Sequence, residues 1–257
     1  MKIIEPYAHL VDVPDREAGI ALLKRIEWAA RISHRTEEAQ TVDSYGRFLR
    51  AVVLQHGDWS VVEHVTATVD AVVDRGVTHE WVRHRIAAYT QESTRFVNYL
   101  KKMPPSFIYP EVGVRCEYCL AGVPLRPGLD GANRTAWLHD TTPSCEVGGV
   151  FLCCEYDKDW LYAIATCEDC YKRLIAKGWP PQTARSVFPN ALASRLVCTY
   201  NLRSWRNFFI MRTCKEAHPQ MRQVTIPLLR EFQERIPVLF EDIVPEQRQI
   251  EAMATPR

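Results

Sequence analysis

Apolar residues recur at three- and four-residue spacing along residues 15–31, as in Leu22, Ile26, Ala29 and Ala30, and the pattern returns along residues 41–56. That period predicts two amphipathic helices. It then shortens to two, where Val65, Ala67, Val69, Ala71 and Val73 alternate with Thr66, Thr68, Asp70 and Asp74. This is the spacing of a half-buried strand. Asp74-Arg75-Gly76 reads as a turn, and residues 77–88 as a further helix. In the last third the spacing predicts helices over 157–177, 180–187, 202–216 and 220–235, with a strand at 194–200. No internal repeat is present.

Between Met103 and Tyr156 neither period persists. Six of the 11 glycines, six of the 16 prolines and five of the nine cysteines fall there. The segment reads as an insertion, at about residues 107–156, with too few apolar residues to fold on burial alone. A staple is therefore expected. At 257 residues the chain is long enough for one elaborated domain or two small ones.

Charge narrows the function. Lys and Arg number 32 against 31 Asp and Glu, a net charge of +1, where a protein gripping duplex DNA through its general field is far more basic. An anionic ligand must be held by local arginines. No apolar run is long enough to span a bilayer. The first apolar stretch is broken by Glu5, Pro6, His9 and Asp12, so it is not read as a signal peptide. A cytoplasmic location and reduced thiols are the expectation, and the odd cysteine count agrees.

Several motifs fail. Neither G-x-G-x-x-G nor a P-loop is present. His79 and His84 are five residues apart, about 140° around a helix rather than on one face, so the zincin pattern is absent. A zinc deaminase needs H-x-E and a later P-C-x-x-C, and Cys116-x-x-Cys119 lacks the Pro.

The densest chemistry is Arg83-His84-Arg85 through Tyr89, Gln91, Glu92 and Ser93 to Arg95. Guanidinium grips phosphate bidentately, while hydroxyl and amide groups read a base or a sugar. On a helix Arg83 and Arg85 diverge by about 200°, enough to serve two anionic ligands. The alternative is a solvated basic helix end paired with Glu80 and Glu92.

Arg83-His84-Arg85 followed by Ser93 and Arg95 resembles the signature of the flavin-dependent thymidylate synthases. Further blocks resemble that family in order: residues 29–33, 60–64, 184–189, 201–205, and Arg212 with residues 217–222. The resemblance covers most of the chain outside the insertion. It implies one domain over residues 1–257, interrupted by the insertion. The implied fold is a compact α+β one, with a twisted, largely antiparallel sheet flanked by helices. The implied reaction methylates dUMP at C5, with methylenetetrahydrofolate as carbon donor and NADPH-reduced FAD as hydride carrier. It further implies a homotetramer with shared active sites, bound to neither nucleic acid nor membrane. No cysteine nucleophile is needed.

Carried over by position, Arg83, Glu92, Ser93, Arg95, Arg185 and Arg212 hold the nucleotide, with Arg212 and Ser93 in the catalytic role. The flavin falls to Ser33, Ser60 and Glu63, to Arg83, His84, Arg85, Ile86 and Gln91, and to Asn201, Arg203 and Asn207. Departures stand at Glu80, Ala88, Thr90 and Glu216, where many members carry Gln, Ser and Asn, and some a His at the last.

The residues themselves add detail. Arg212 shares a helical stripe with Trp205, Phe208 and Phe209, so it faces apolar surroundings and needs a partner. Glu216, one turn on, is a structural candidate, and a ligand anion the functional one. Arg203 and Asn207 form a polar pair one turn apart. Glu63-His64 sits where the chain enters the long strand. His84, flanked by two arginines, has its protonation opposed by like charge.

Cys116 and Cys119, with Cys145 and Cys153 (or Cys154, with His139 as a substitute ligand), have the donor types of a structural zinc site. Free thiols are the alternative. Cys167 and Cys170 lie on a helical stripe with Ile164, Tyr171 and Leu174 and read as core, as does Cys198 in its strand. Two other functions stay open from the residues: transfer of a one-carbon unit to another pyrimidine nucleotide, and a zinc-stabilised nucleic-acid-binding module.

Overall fold

The computed structural model describes residues 2–101, 103–110, 146–147, 150–151 and 158–245. The first half contains β1 (Lys2–Ile4), β2 (Tyr7–Leu10), α1 (Arg16–Ile32), α2 (Ser44–Leu49), β3 (Thr66–Asp74), α3 (Arg75–Trp81) and β4 (Ala87–Gln91). Then come β5 (Ser106–Ile108), the short antiparallel pair β6 (Glu146–Val147) and β7 (Val150–Phe151), and α4 (Lys158–Ala176). The chain continues through α5 (Pro181–Ala184), β8 (Ala193–Asn201), α6 (Leu202–Arg212) and α7 (Pro219–Arg235). The architecture is α+β. It divides into two compact units: Tyr7–Val72, His79–Gln91 and Arg195–Arg257 form one, and Met1–Pro6, Val73–Thr78 and Glu92–Ser194 the other.

The first unit is organised by a four-stranded sheet in the order β2-β3-β8-β4. β2 runs antiparallel to β3, from Tyr7 opposite Val72 to Leu10 opposite Val69. β4 runs antiparallel to β8, from Ala87 opposite Tyr200 to Gln91 opposite Leu196. The alternation along β3 sorts its faces: Ala67, Val69 and Ala71 are buried, while Asp70 on the other face pairs with Arg195 at 2.8 Å. Beneath the buried face lies an aromatic layer built from α6 and α7. Trp205 stacks on Tyr200 with centroids 4.2 Å apart, and its indole N–H donates to the Ala67 carbonyl at 2.9 Å. Phe208, Phe209, Phe232 and Phe240 fill the rest without exposure.

The caps locate the helices. Asp15 accepts from the Ala18 N–H at 2.9 Å and starts α1, and Asn201 accepts from the Ser204 N–H at 2.8 Å and starts α6. The helix expected over 41–56 is present as α2, but from Arg50 to Gln55 it widens into a π-helical segment. The helix expected over 202–216 stops at Arg212, where Thr213 turns its hydroxyl back onto the Phe209 carbonyl at 2.8 Å.

The second unit has a parallel pair, β1 with β5, registered from Lys2 opposite Ser106 to Ile4 opposite Ile108. Around it Tyr99, Phe107, Ile164, Tyr171 and Leu192 form a buried cluster, with Phe188 stacked on Tyr171 at 4.7 Å. Ile164 and Tyr171 on α4 are the buried stripe expected of that helix, while Cys167 and Cys170 are only half-buried beside it. Cys198 of β8, in the first unit, is buried as expected. Cys116, Cys119, Cys145 and Cys153, the expected zinc ligands, lie outside the described residues, as do Cys154 and His139.

One expectation is overturned. The helix expected over residues 77–88 stops at Trp81, and Asp74-Arg75-Gly76 is not a separate turn. Asp74 accepts from the Val77 N–H at 2.8 Å, so α3 starts directly after β3 and is finished by Trp81. Ala87–Gln91 is claimed instead by pairing with β8, a long-range ladder that local spacing does not reveal.

Helix α1 is held against the end of α7 at one position with no spare room. A Cβ added at Gly19 would lie 1.8 Å from the Arg235 carbonyl oxygen. Gly19→Ala is expected to destabilise this unit by roughly 2–3 kcal/mol through forced separation of the helices, against the usual gain from Gly→Ala in a helix. Urea unfolding of the two proteins measures it.

Candidate active site: an arginine turn and its cavity

The five residues from Val82 to Ile86, between α3 and β4, carry the arginine cluster on a turn. Arg83 and Arg85 therefore do not take the helical divergence expected of them. The turn begins with the His84 N–H donating to the Trp81 carbonyl at 3.1 Å, and ends at Ile86 with φ of 65°. A β-branched residue in the left-handed region is strained, and Ile86 is also 80% exposed.

The turn forms one wall of a cavity of about 700 Å³. Arg83, His84, Arg85 and Ile86 line it from the turn, and Glu63 from the 3₁₀ segment Trp59–His64. Asn201, Arg203, Ser204 and Asn207 line it from the start of α6, with Met211 and Arg212 from its end. With its side-chain oxygen used as the cap of α6, Asn201 has its amide donors left for a ligand. The first turn of α6 brings the positive end of the helix dipole to the same wall.

Arg212 is the most constrained group here. Its Nε donates to His84 Nε2 at 2.8 Å, and its Nη1 to the Glu80 carboxylate at 2.8 Å. Its side chain is 18% exposed, so the expectation of a shielded arginine with a partner holds. The partner differs from the structural candidate: Glu216 lies beside Lys215 at 3.7 Å. Past Arg212 the helix has ended, so the i,i+4 geometry that would join them is lost.

His84 must be neutral to accept from Arg212. Burial, and secondarily the charge of Arg212, push its pKa down to about 4. The suppression expected from the flanking Arg83 and Arg85 is not the source. Both of those residues are exposed.

Charges in the cavity pair off incompletely. Arg203 is matched by Glu63 at 2.6 Å and Arg212 by Glu80. Among the described residues Arg83 and Arg85 have no acidic partner within ion-pair distance. The cavity thus presents two uncompensated guanidiniums beside neutral donors, which is the chemistry of a diphosphate or phosphomonoester receptor.

The second unit has a cleft of its own, about 480 Å³, lined by Arg75, Thr94, Gln182, Thr183, Arg185 and Ser186 over Phe188 and Leu192. Arg185 donates to the Thr94 hydroxyl and, through Nε, to the Gln182 carbonyl at 3.2 Å. Thr94 is 4% exposed, so this bond fixes the guanidinium from the inside. Ser93 accepts from the Arg95 N–H at 3.3 Å, and the Arg95 guanidinium lies over the Phe96 ring at 5.5 Å.

The profile of the family described as thymidylate synthase complementing protein matches residues 15–238. The chain belongs to this family. It is similar to the flavin-dependent thymidylate synthase of Geobacter sulfurreducens, 27% identical over 239 residues that cover 93% of this chain and 86% of the relative. It is also similar to that of Mycobacteroides abscessus, 30% identical over 235 residues covering 89% and 81%. With that of Pyrococcus abyssi it shares 28% identity over 221 residues, covering 83% and 75%.

In this member of the thymidylate synthase complementing protein family, most residues assigned to flavin from the sequence share one cavity. Ser33, Ser60 and Gln91 do not line it. Ser33 closes α1, its hydroxyl donating to the Ala30 carbonyl at 2.9 Å; Ser60 lies in the 3₁₀ segment; Gln91 ends β4 opposite Leu196. Of the nucleotide set, Arg83 and Arg212 line the cavity and Arg185 the separate cleft. Glu92, Ser93 and Arg95 stand on the segment after β4, in the second unit. Glu80, Arg75 and Thr94 were not assigned from the sequence. Thr94 sat between Ser93 and Arg95 in the quoted run, whereas nothing local marks Glu80 as the partner of a residue 132 positions away. Among the described residues no cluster has the makings of a metal site, and no helix is long and apolar enough to cross a membrane.

The depressed pKa of His84 has a signed consequence. The unfolded chain protonates this residue near 6.5 and the folded chain only near 4, so the unfolded state binds more protons between those values. The stability His84 confers is complete above the upper value and is lost as pH falls toward the lower one. Urea midpoints at about pH 7.5 and about pH 5 are expected to differ more in the wild type than in His84→Gln.

Proposed function

We propose that this chain is a flavin-dependent thymidylate synthase, methylating dUMP at C5 with methylenetetrahydrofolate as carbon donor and NADPH as reductant of FAD. The observation that carries this reading is the joining of the turn, Glu63 and α6 around one cavity, with two guanidiniums left uncompensated. Two positive charges beside a helix N-terminus match the diphosphate of a dinucleotide, and the volume is in the usual range of cofactor sites. No glycine fingerprint is needed when arginines and an N-terminal helix turn do the gripping.

The residues fit FAD as follows. Arg83 and Arg85 hold its charged linkage, and Asn201, Arg203 and Asn207 supply donors to its polar edges. The bound flavin supplies the hydride chemistry. Arg212 is oriented before any ligand arrives, because neutral His84 and Glu80 fix two sides of its guanidinium. Of its five N–H donors, those not used by His84 and Glu80 are available to the nucleotide. In the second unit, Arg185, aimed by Thr94, offers a second anion grip, and Ser93 and Arg95 are assigned to the nucleotide with it. A homotetramer with shared active sites and a cytoplasmic location belong to the same proposal.

Release of tritium from dUMP labelled at C5 tests the reaction, assayed without oxygen and with FAD, NADPH and methylenetetrahydrofolate omitted in turn. The expected result is release that needs flavin and reductant, with dTMP appearing only when folate is present. No release from folded, flavin-loaded protein would overturn the assignment of dUMP. Arg212→Ala and Arg95→Ala are expected to lower turnover by about 100-fold or more without unfolding the protein, the usual scale for removing a positioned charged donor. Wild-type activity in both would remove these residues from the site.

A further inference from the structure

Helix α3 ends at Trp81, and the turn that follows has no glycine. A helix end leaves its last carbonyls without partners, and a left-handed glycine with its return hydrogen bonds is the common remedy. Here the left-handed position falls to Ile86, three residues beyond the point where a glycine cap would stand. The Trp81 carbonyl accepts from the His84 N–H at 3.1 Å, and a side chain adds a second bond to it and reaches the His84 carbonyl in the turn beyond. The Tyr89 hydroxyl lies 2.5 Å from the His84 carbonyl oxygen, 3.0 Å from that of Trp81 and 2.6 Å from the Tyr200 hydroxyl.

A phenol has one proton, which fixes the direction of these bonds. Two carbonyls can only accept, so the Tyr89 proton goes to them, nearer to His84, and Tyr200 donates to the Tyr89 oxygen. The sheet register makes this contact. Tyr89 stands opposite Cys198, which places its ring diagonally beside Tyr200, and the two rings meet edge to face at 5.7 Å. Tyr200 is packed on several sides: it is 1% exposed, stacked on Trp205 and edge-on to Phe208. Burial raises the pKa of Tyr89 to about 12 and moves that of Tyr200 upward as well, so both stay protonated donors at physiological pH.

We propose that Tyr89 and Tyr200 are positioning residues that latch the arginine turn to the aromatic core, holding Arg83, His84 and Arg85 in their ligand-binding arrangement. His84 is then tied at both ends, its carbonyl to Tyr89 and its ring to Arg212. Arg83 and Arg85 extend from either side of that fixed residue. The strain at Ile86 persists because the latch on one side and β4 on the other leave the turn no relaxed alternative. Neither tyrosine lines the cavity, so neither touches a ligand there. The role as a ligand-holding turn rests on the function proposed above; the latch itself does not.

Two measurements on Tyr89→Phe and Tyr200→Phe in the full chain separate these. The first is amide hydrogen exchange of residues 82–86 without ligand, and the second is FAD affinity from quenching of flavin fluorescence. Tyr89→Phe leaves the His84 carbonyl without this donor, while Trp81 keeps the His84 N–H, and is expected to speed exchange and weaken FAD binding by about ten-fold each, the scale of one hydrogen bond lost with its partner left unpaired. Tyr200→Phe removes only the relay, and a change of about three-fold is expected. A purely structural role predicts the reverse order in thermal stability, since Tyr200 is the more buried ring, and no selective change at 82–86. Folded Tyr89→Phe with exchange and affinity both within two-fold of wild type overturns the latch. Faster exchange at 82–86 in a protein whose wild type binds no FAD upholds the latch and removes the flavin reading instead.

Discussion

A neutral imidazole is the constraint on which this cavity depends. His84 can accept the Nε–H of Arg212 only without its own proton on Nε2, and burial keeps it so. With that bond made, Arg212 has lost its freedom to swing toward solvent, and its remaining charge is met by Glu80. A cationic His84 would face a guanidinium at hydrogen-bond distance and push it away. The protonation state of one ring therefore decides where the positive charge of α6 is presented.

The electrostatic design follows from that fixed point. Four arginines line the cavity, but two of them, Arg203 and Arg212, are answered by Glu63 and Glu80. The paired arginines act as oriented donors more than as charges. The Glu63–Arg203 pair is about half exposed and adds little to stability, so its value lies in geometry. The unpaired Arg83 and Arg85 supply the attraction. Such a division explains how a chain with a net charge of +1 can hold an anionic cofactor: the field is local, and the rest of the surface is balanced.

Legibility in the sequence followed the range of the interactions. The β3 alternation and the 3.6-residue stripes of α1, α4 and α7 were plain, because burial of one face is a local pattern. The signature blocks pointed to the residues of the cavity, yet neither spacing nor blocks revealed how those residues are held. Arg212 was seen to need a partner, but the nearest acid in sequence was Glu216, and helix termination at Thr213 removed it from reach. The helix expected through Ala88 failed for the same reason. Ala87, Ala88 and Tyr89 carry no strand signal of their own, and only the presence of β8 alongside makes them one. Tyr89 stands within the arginine-rich run, yet the sequence assigns it no role of its own.

That last omission points to what separates a recognition motif from a working site. The arginines of the turn are long and flexible, and each would lose side-chain entropy if a ligand immobilised it. A turn that also moved would add backbone entropy to that loss. Anchoring the backbone of the turn's middle residue to a half-buried tyrosine, itself held by buried Tyr200, spends folding energy in advance, so that binding has less to order. The aromatic layer under the sheet then has two tasks. It stabilises the first unit by burial, and through the Tyr200 hydroxyl it extends that rigidity to a solvent-exposed loop. Signature positions name the groups that touch a ligand; their precision comes from residues such as Tyr89, whose contacts are all with the protein itself.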